Sequence, residues 1–427
     1  MLATLVFVAP RTDALGLTAP HGSGARDPRV ATLARLADLA RQQARAILCL
    51  GAPAWAASLG LDPGLSVAPT APETLAGRLE SRAVYLAGGT TQVEILQLAQ
   101  ALCEDRREVV VLDDACFDAR PNVHLRALST LRAMGCAVAP WSRLLADPGR
   151  VTLGGYASGD AALYTGRLAP HPAGSHFAAV DAEVAWQTAL HRGGVVPRQM
   201  ALQGEVRDGV VPLYRHPLDF NPEMVPFTPA VEALRRAAEG LVGHPLNHAL
   251  VQRYRDGRDW IGEHSDKTLD LVAHSKIVNV SLGRTRTMTL RPKRVGAAPA
   301  ETERVPMVDG SLFVLGPASN AAWLHAITQA RALEDDGPRI SITLRHIGTF
   351  HDPRTGAVWG VGAPWARRAD ALAALDARPA PDREARRREA ERMLACFRDE
   401  NASEVYDPER YAPGFEVLDL SALNVAV

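Results

Sequence analysis

The pattern of apolar runs changes character near residue 150, and no single layered architecture accommodates both patterns. Before that point, apolar stretches at Leu2–Ala9, Ala46–Leu50, Ala83–Ala87, Val109–Leu112 and Ala137–Ala139 alternate with helix-period segments near 29–45, 90–104 and 121–134. Strand–helix alternation of this kind predicts a doubly wound parallel sheet wrapped by helices, an α/β domain over 1–150. A Gly-, Ser-, Pro- and His-rich stretch over 151–178 then reads as a linker, and a helix is expected near 180–191. Beyond it, short strands recur between turns: Ala249–Tyr254, Ile277–Leu282, Met288–Arg291, Ser311–Leu315, Ala322–Ala326 and Ile340–Arg345, with a second packing helix near 229–241. This is the pattern of a mainly β sandwich or jelly roll, assigned to 179–350. Residues 351–427 form a C-terminal extension with a charged helix over Pro381–Asp399, whose charges suit either a solvated helix face packing on the core or a partner-binding helix.

A length of 427 residues suits two or three such domains. Lys+Arg at 47 against Asp+Glu at 48 leaves a net charge of -1, so no global field draws the chain onto a polyanion and any nucleic-acid contact must be local. Five scattered cysteines without CxxC spacing fit neither a disulfide framework nor a zinc knuckle, and a reducing cytoplasm is expected. The opening MLATLVFVAPRTD reads as a buried strand and not as a signal peptide. No stretch approaches the roughly 20 apolar residues of a membrane span.

The chemistry concentrates in YRDGRDWIGEHSD, residues 254–266. On a strand, His264 and Asp266 leave the same face, as a shared metal requires. A lone H-x-D means little in a chain with 13 histidines, but His325 follows in SNAAWLHAI, at the end of an apolar strand. Two neutral imidazoles and one carboxylate leave three open positions, which suits non-haem Fe(II) handling O₂ and a chelating cosubstrate better than zinc's closed sites. RISITLR then sets Arg339, Ser341, Thr343 and Arg345 on one strand face. Two guanidiniums pointing into a core are costly unless they meet anions, and a dicarboxylate at the metal would supply them, with Arg339 able to grip its distal end bidentately.

With this ordered set, residues 180–350 resemble the AlkB family of Fe(II)/2-oxoglutarate dioxygenases, in particular the branch that repairs alkylated duplex DNA. The likeness runs through VPRQM, Tyr214, FTPAVEALRR, QRYRDGRDWIGEHSD, IVNVSLG, MTLRPKR, DGSLFVL, WLHAI and RISITLR. It implies a double-stranded β-helix, with His264, Asp266 and His325 holding Fe(II). It further implies that Arg339 and Tyr254 bind the far carboxylate of 2-oxoglutarate, and that Arg345 supports the near carboxylate and Asp266. In such enzymes 2-oxoglutarate and O₂ become succinate and CO₂ while an N-alkyl group is hydroxylated, and the carbinolamine sheds an aldehyde. N1-methyladenine and N3-methylcytosine in DNA or RNA are the substrates implied. Gln252 and Ser341 stand where the family has Asn, and each keeps a hydrogen-bonding group toward 2-oxoglutarate. The acidic residue that reads the base shortly after Asp266 is absent, the run being Asp266, Lys267, Thr268.

An alkylated base must be reached in a single strand or flipped out and stacked. Tyr214 and Trp260 are the candidates for that pocket, with Phe220 and Phe227 behind them; ordinary core packing is the alternative for each. Arg284, Arg286, Arg291, Lys293 and Arg294 read as phosphate contacts or as a solvated Arg-rich loop. His244, His248, His274 and His346 fit no second metal pattern.

Residues 83–136 resemble the isochorismatase-like cysteine hydrolases, but AGGTTQVEI carries Glu94 at the nucleophile's position, Asp13 is the only acid near the first strand, and no lysine precedes Lys267. Covalent thiol chemistry then has no route, and Cys116 reads as a buried small residue. A degenerate scaffold, dimerisation surface or substrate-positioning module is expected. Two rivals stand beside this reading: an oxygenase of the same fold acting on protein or a small molecule, and an α/β domain that is itself the hydrolase or ligand-binding module.

Overall fold

The computed structural model describes residues 4–9, 28–50, 53–62, 65–67, 79, 81–118, 120–146, 150–172, 174–191, 194–217, 222–293, 302–329, 337–377 and 383–423. Phe220 and Arg294 lie outside them. The chain divides into two compact units, Met1–Leu153 and Gly154–Val427.

The first unit is a parallel sheet of β1 (Thr4–Val8), β2 (Ile47–Leu50), β3 (Ser66–Val67), β4 (Ala83–Thr90), β5 (Glu108–Phe117) and β6 (Ala137–Ala139), in the order β3-β2-β1-β4-β5-β6. Its helices include α1 (Pro28–Gln42), α2 (Leu96–Glu104) and α3 (Pro121–Ala133). The central strand β1 is buried along its whole length, as a parallel strand covered on both faces must be. The strand order reverses between β1 and β4, the doubly wound arrangement. Beside the end of β4, Thr90 donates its backbone N–H to the Glu94 carboxylate at 3.1 Å, and Thr91 Oγ1 pairs with His124 Nδ1 at 2.8 Å. Cys116 is buried, and burial together with Asp114 and Asp113 pushes its thiol well above the ordinary range, the behaviour of a packing residue.

Residues 151–178, which straddle the start of the second unit, are not the linker their composition suggests. They hold β7 (Val151–Tyr156), β8 (Ala161–Thr165) and the start of α4 (His176–Glu183), because the turn residues bend a hairpin instead of joining domains. The helix expected over 180–191 stops at Glu183 and gives way to β9 (Gln187–His191). There follow β10 (Gly194–Gly204), β11 (Val211–Pro212), β12 (Met224–Pro226), α5 (Pro229–Val242), β13 (His248–Tyr254), β14 (Ile261–His264), β15 (Ile277–Gly283), β16 (Arg286–Pro292), β17 (Glu303–Met307), β18 (Ser311–Leu315), β19 (Trp323–Ile327), β20 (Arg339–Arg345), β21 (Thr349–Asp352) and β22 (Ala357–Gly360). A large sheet runs β12-β10-β13-β20-β15-β18-β8-β7, and a small one β14-β19-β16-β17. Together they make a jelly roll.

β20 shows why this sheet can carry a site. Ile340, Ile342 and Leu344 join Val278, Val280, Val251, Val231 and Leu234 in a buried cluster with α5 on one face. Burying each such side chain contributes about 1.5–3 kcal/mol. Arg339, Ser341, Thr343 and Arg345 therefore point the other way. α5 itself begins with Pro229 after Thr228 and ends at Gly243, whose φ of +76° suits glycine.

Past β22, α6 (Arg383–Ala402) lays Ala390, Met393 and Phe397 against Leu269, Tyr411 and Phe415. Arg215, fully buried, ties this segment down. It donates to both carboxylate oxygens of Asp270 (2.6 and 3.1 Å) and to the carbonyls of Gly362, Phe415 and Val417 (2.8, 2.8 and 3.2 Å).

Candidate metal centre

β14 ends in His264, and β19 runs antiparallel beside it so that His264 and His325 are directly opposed, ring centroids 4.3 Å apart. Asp266 lies just beyond the end of β14, so the shared strand face expected for His264 and Asp266 is not what aligns them. The strand's partner is replaced by an amide: the Asp266 N–H donates to Asn320 Oδ1 at 2.9 Å, and Asn320 Nδ2 donates to the Asp266 carbonyl at 2.9 Å. Ligand atoms of His264, Asp266 and His325 thereby come within 4.8 Å of one another, the one such group among the described residues.

The protonation states suit a metal. Burial pushes His325 down to about 3, with His264 adding to the effect, and burial lowers His264 as well. His264 Nδ1 faces the Gly262 carbonyl at 2.8 Å, so that nitrogen carries the proton and Nε2 keeps its lone pair for the metal. Burial raises Asp266, but Arg345, His325 and His264 outweigh it and hold the carboxyl well below the usual range. Arg345 Nη2 donates to Asp266 Oδ1 at 2.9 Å.

These groups line a cavity of about 310 Å³ between the two sheets. Register places Tyr254 opposite Arg339 and Gln252 opposite Ser341 on β13, and Asn279 opposite Thr343 on β15. Arg339, fully buried, donates Nε to Ser281 Oγ at 2.9 Å and lies 5.1 Å from the Tyr254 ring centroid, and burial pulls it down to about 10. Its Nη1, Gln252 Nε2, and Arg345 Nε and Nη1 are buried without a hydrogen-bond partner among the described residues. Unpaired buried donors are costly, and a dicarboxylate chelating a metal at His264, Asp266 and His325 would satisfy them. The donor set, two neutral nitrogens and one carboxylate, fits Fe(II) and leaves coordination positions open.

Other candidates fall elsewhere. Tyr214 is buried at the inner wall, its ring 4.1 Å from the Arg345 guanidinium and its hydroxyl accepting the Lys267 N–H at 3.0 Å, so it packs the site rather than presenting a face at the mouth. Burial raises its pKa. Trp260 is 42% exposed and packs over Gly262 outside the cavity lining. Phe227 belongs to the core beside α5, with Arg235 over its ring at 5.1 Å. Arg286 faces the protein interior. It is 5% exposed and donates to the carbonyls of Asp256, Asp259 and Thr328 at 3.1, 2.9 and 2.5 Å, a clamp joining the loop after β13 to the end of β19. Arg291 is paired with Glu263 at 2.6 Å and Lys293 donates to the Glu400 carbonyl at 2.7 Å, while Arg284 is exposed.

Asn279, His216 and Asn401 are among the lining residues that the sequence does not single out. Asn279 donates to Ser341 Oγ and Thr343 Oγ1 at 2.8 and 3.0 Å. His216 stacks on Tyr214 with centroids 5.4 Å apart, both ring nitrogens buried without a partner and its pKa pushed down to about 3 by burial. The alternation in Tyr214, Arg215, His216 carried a signal for it, two residues facing the cavity and the one between facing Asp270. Asn401 arrives from α6, and no local pattern announced it.

Residues 160–345 match the profile of the 2OG-Fe(II) oxygenase superfamily. Human DNA oxidative demethylase ALKBH2 is 32% identical over 156 residues, 36% of this chain and 57% of that protein. Human alpha-ketoglutarate-dependent dioxygenase alkB homolog 3 is 30% identical over 142 residues, 32% of this chain and 46% of that protein. The chain thus spans less than two thirds of the length of these curated relatives. The solved structure of OsALKBH1 is covered over 96% of its length by 44% of this chain, at 14% identity and a TM-score of 0.32. No helix among the described residues is long and apolar enough to cross a membrane.

Proposed function

We infer, from a chain whose residues 160–345 form an AlkB-type 2OG-Fe(II) oxygenase domain, that this protein removes N-alkyl groups oxidatively from nucleic-acid bases. The observation that carries the reading is one cavity holding both the His264, Asp266, His325 ligand set and the unpartnered Nη1 of Arg339. Fe(II) with 2-oxoglutarate and O₂, held there, would supply the oxidation, giving succinate, CO₂ and a hydroxylated alkyl group that is lost as an aldehyde. The chain's part is positioning. Arg339, steadied by Ser281 and Tyr254, would hold the far carboxylate. Gln252, Asn279 and Ser341 line the wall beside it. Arg345 keeps Asp266 ionised and oriented. Tyr214, His216 and Met200 wall the space left for a flat base and keep water from the reacting group.

The names of the relatives support alkylated DNA as the substrate, and the exposed Arg284 is kept as a candidate for a phosphate contact among the described residues. For the first unit we propose a non-catalytic isochorismatase-like scaffold, supported by the strand order β3-β2-β1-β4-β5-β6 and by a Glu94 carboxylate already engaged by Thr90.

The test is anaerobic loading with Fe(II) and 2-oxoglutarate, then oxygenation with methylated single- and double-stranded oligonucleotides, with His264→Ala as the blank. Formaldehyde that follows the oligonucleotide and vanishes in the blank is the expected result. Succinate without formaldehyde on any oligonucleotide would move the substrate to protein or small molecules.

A further inference from the structure

α6 begins well past residue 345, where the oxygenase match ends, yet its last turn reaches the metal cavity. Asn401 lines that cavity together with His264, Asp266 and His325. Its side chain is gripped from both sides of Asp266: the amide oxygen accepts from Ser265 Oγ at 3.1 Å and from Lys267 Nζ. An ammonium can only donate, so the atom that meets Lys267 must be the oxygen, and the orientation of the amide is decided by its partner. The turn behind it is equally held. Glu400, 5% exposed, accepts from the Thr268 N–H at 3.1 Å and the Tyr411 hydroxyl at 2.5 Å, and its carbonyl accepts from Lys293 Nζ.

The free end of Asn401 is therefore its NH₂ group, which no hydrogen bond among the described residues uses. The carboxylates of the cavity lining are committed, Asp266 to Arg345 and Glu263 to Arg291. Toward the same space Arg198 donates Nη1 to the Trp260 carbonyl at 2.9 Å and keeps a buried, unpartnered Nε. Where a base must sit, this wall offers donors and no uncommitted carboxylate.

We propose that Asn401 is a specificity-determining residue whose amide N–H donates to a ring carbonyl of the alkylated base. Among N-alkylated bases the site then favours those with a carbonyl at the exocyclic position where adenine and cytosine carry their amino group over those with the amino group itself. This rests on the dealkylation reading above. N3-methylthymine and N3-methylcytosine share the carbonyl at position 2 and differ at position 4 by carbonyl against amino; the thymine 5-methyl group and the charge of the amino form are the same for every variant compared, so the change of the ratio on substitution isolates the effect of residue 401. A site built to pair one polar group rejects its counterpart strongly because buried groups are left unpaired.

The experiment compares kcat/KM for formaldehyde release from oligonucleotides bearing each base, in the wild-type protein, Asn401→Asp and Asn401→Ala. Anaerobic calorimetry of both oligonucleotides on the Mn(II)- and 2-oxoglutarate-loaded protein accompanies it. Asn401→Asp keeps the acceptor for Ser265 and Lys267 but turns the donor into an acceptor. Wild type should prefer methylthymine, and the preference should fall about tenfold or more in Asn401→Asp, with Asn401→Ala between. The affinity ratio should move in the same sense. Because both bases meet the same preparation, loss of folded protein leaves the ratio untouched. A wild-type preference for methylcytosine, or a ratio unmoved in Asn401→Asp while formaldehyde is still released, would overturn the assignment. No formaldehyde from either base in wild type would instead remove the dealkylation reading, and this inference with it.

Discussion

Replacing Arg215 with Met tests whether the C-terminal segment is held by one buried ion pair. The side chains of Arg215 and Asp270 are both fully buried. In Arg215→Met the Asp270 carboxylate keeps the backbone N–H of residue 215, at 2.7 Å, but loses both side-chain donors, and the carbonyls of Gly362, Phe415 and Val417 lose theirs. An uncompensated buried charge costs about 3–5 kcal/mol. For a unit of this size, at 2–4 °C per kcal/mol, that is a fall in Tm of roughly 6–20 °C. Thermal unfolding followed by circular dichroism measures it, and a cycle through Asp270→Leu and the double variant apportions it. The double variant should lose clearly less than the sum of the singles, since it leaves no orphaned charge. A fall under about 2 °C in the single variant, or strict additivity in the cycle, would refute the reasoning.

Acid should destabilise the metal-free protein. Burial holds His216 and His325 near 3 against an unfolded value near 6.5, so their contribution is complete above about 6.5 and is lost as pH falls toward 3. At pH 5 each costs up to about 2 kcal/mol, an upper bound for rings facing an open cavity, and Tm of the apo-protein should drop between pH 7 and 5. Arg339→Met should raise the KM for 2-oxoglutarate by about 100-fold or more, from two charge-assisted bonds, while Mn(II) affinity measured by calorimetry stays within about threefold. Arg286→Ala should lower Tm by several degrees, because its guanidinium serves backbone carbonyls, and leave the salt dependence of oligonucleotide binding unchanged; a slope smaller by about one would show a phosphate contact instead.

What could be read from the chain alone follows distance in sequence. The residue types at 264, 266 and 325 and the alternation in RISITLR are local signals, because a strand's period sorts Arg339 and Arg345 from Ile340 and Leu344 without knowledge of the partners. Asp266 needed more, since its placement depends on the Asn320 amide and not on the strand. Arg286 misled because an exposed and a clamping arginine look alike until the carbonyls of Asp256, Asp259 and Thr328 are brought around it. Composition misled over 151–178 for a similar reason, as hairpin turns and linkers draw on the same residues. Asn401 was beyond reach altogether: its role exists only once a helix of mostly charged residues has docked on a narrow apolar stripe.

The bonds of Arg215 also set an order of events during synthesis. The ligand set and both site arginines have been made once the ribosome passes residue 345, whereas Asn401 and the carbonyls of Phe415 and Val417 come later. A chain interrupted between those points has the His264, Asp266 and His325 ligand set but lacks Asn401 on the cavity wall. The same interruption deprives Arg215 of at least two of its acceptors, so the incomplete chain is also the less stable one and the more open to proteolysis.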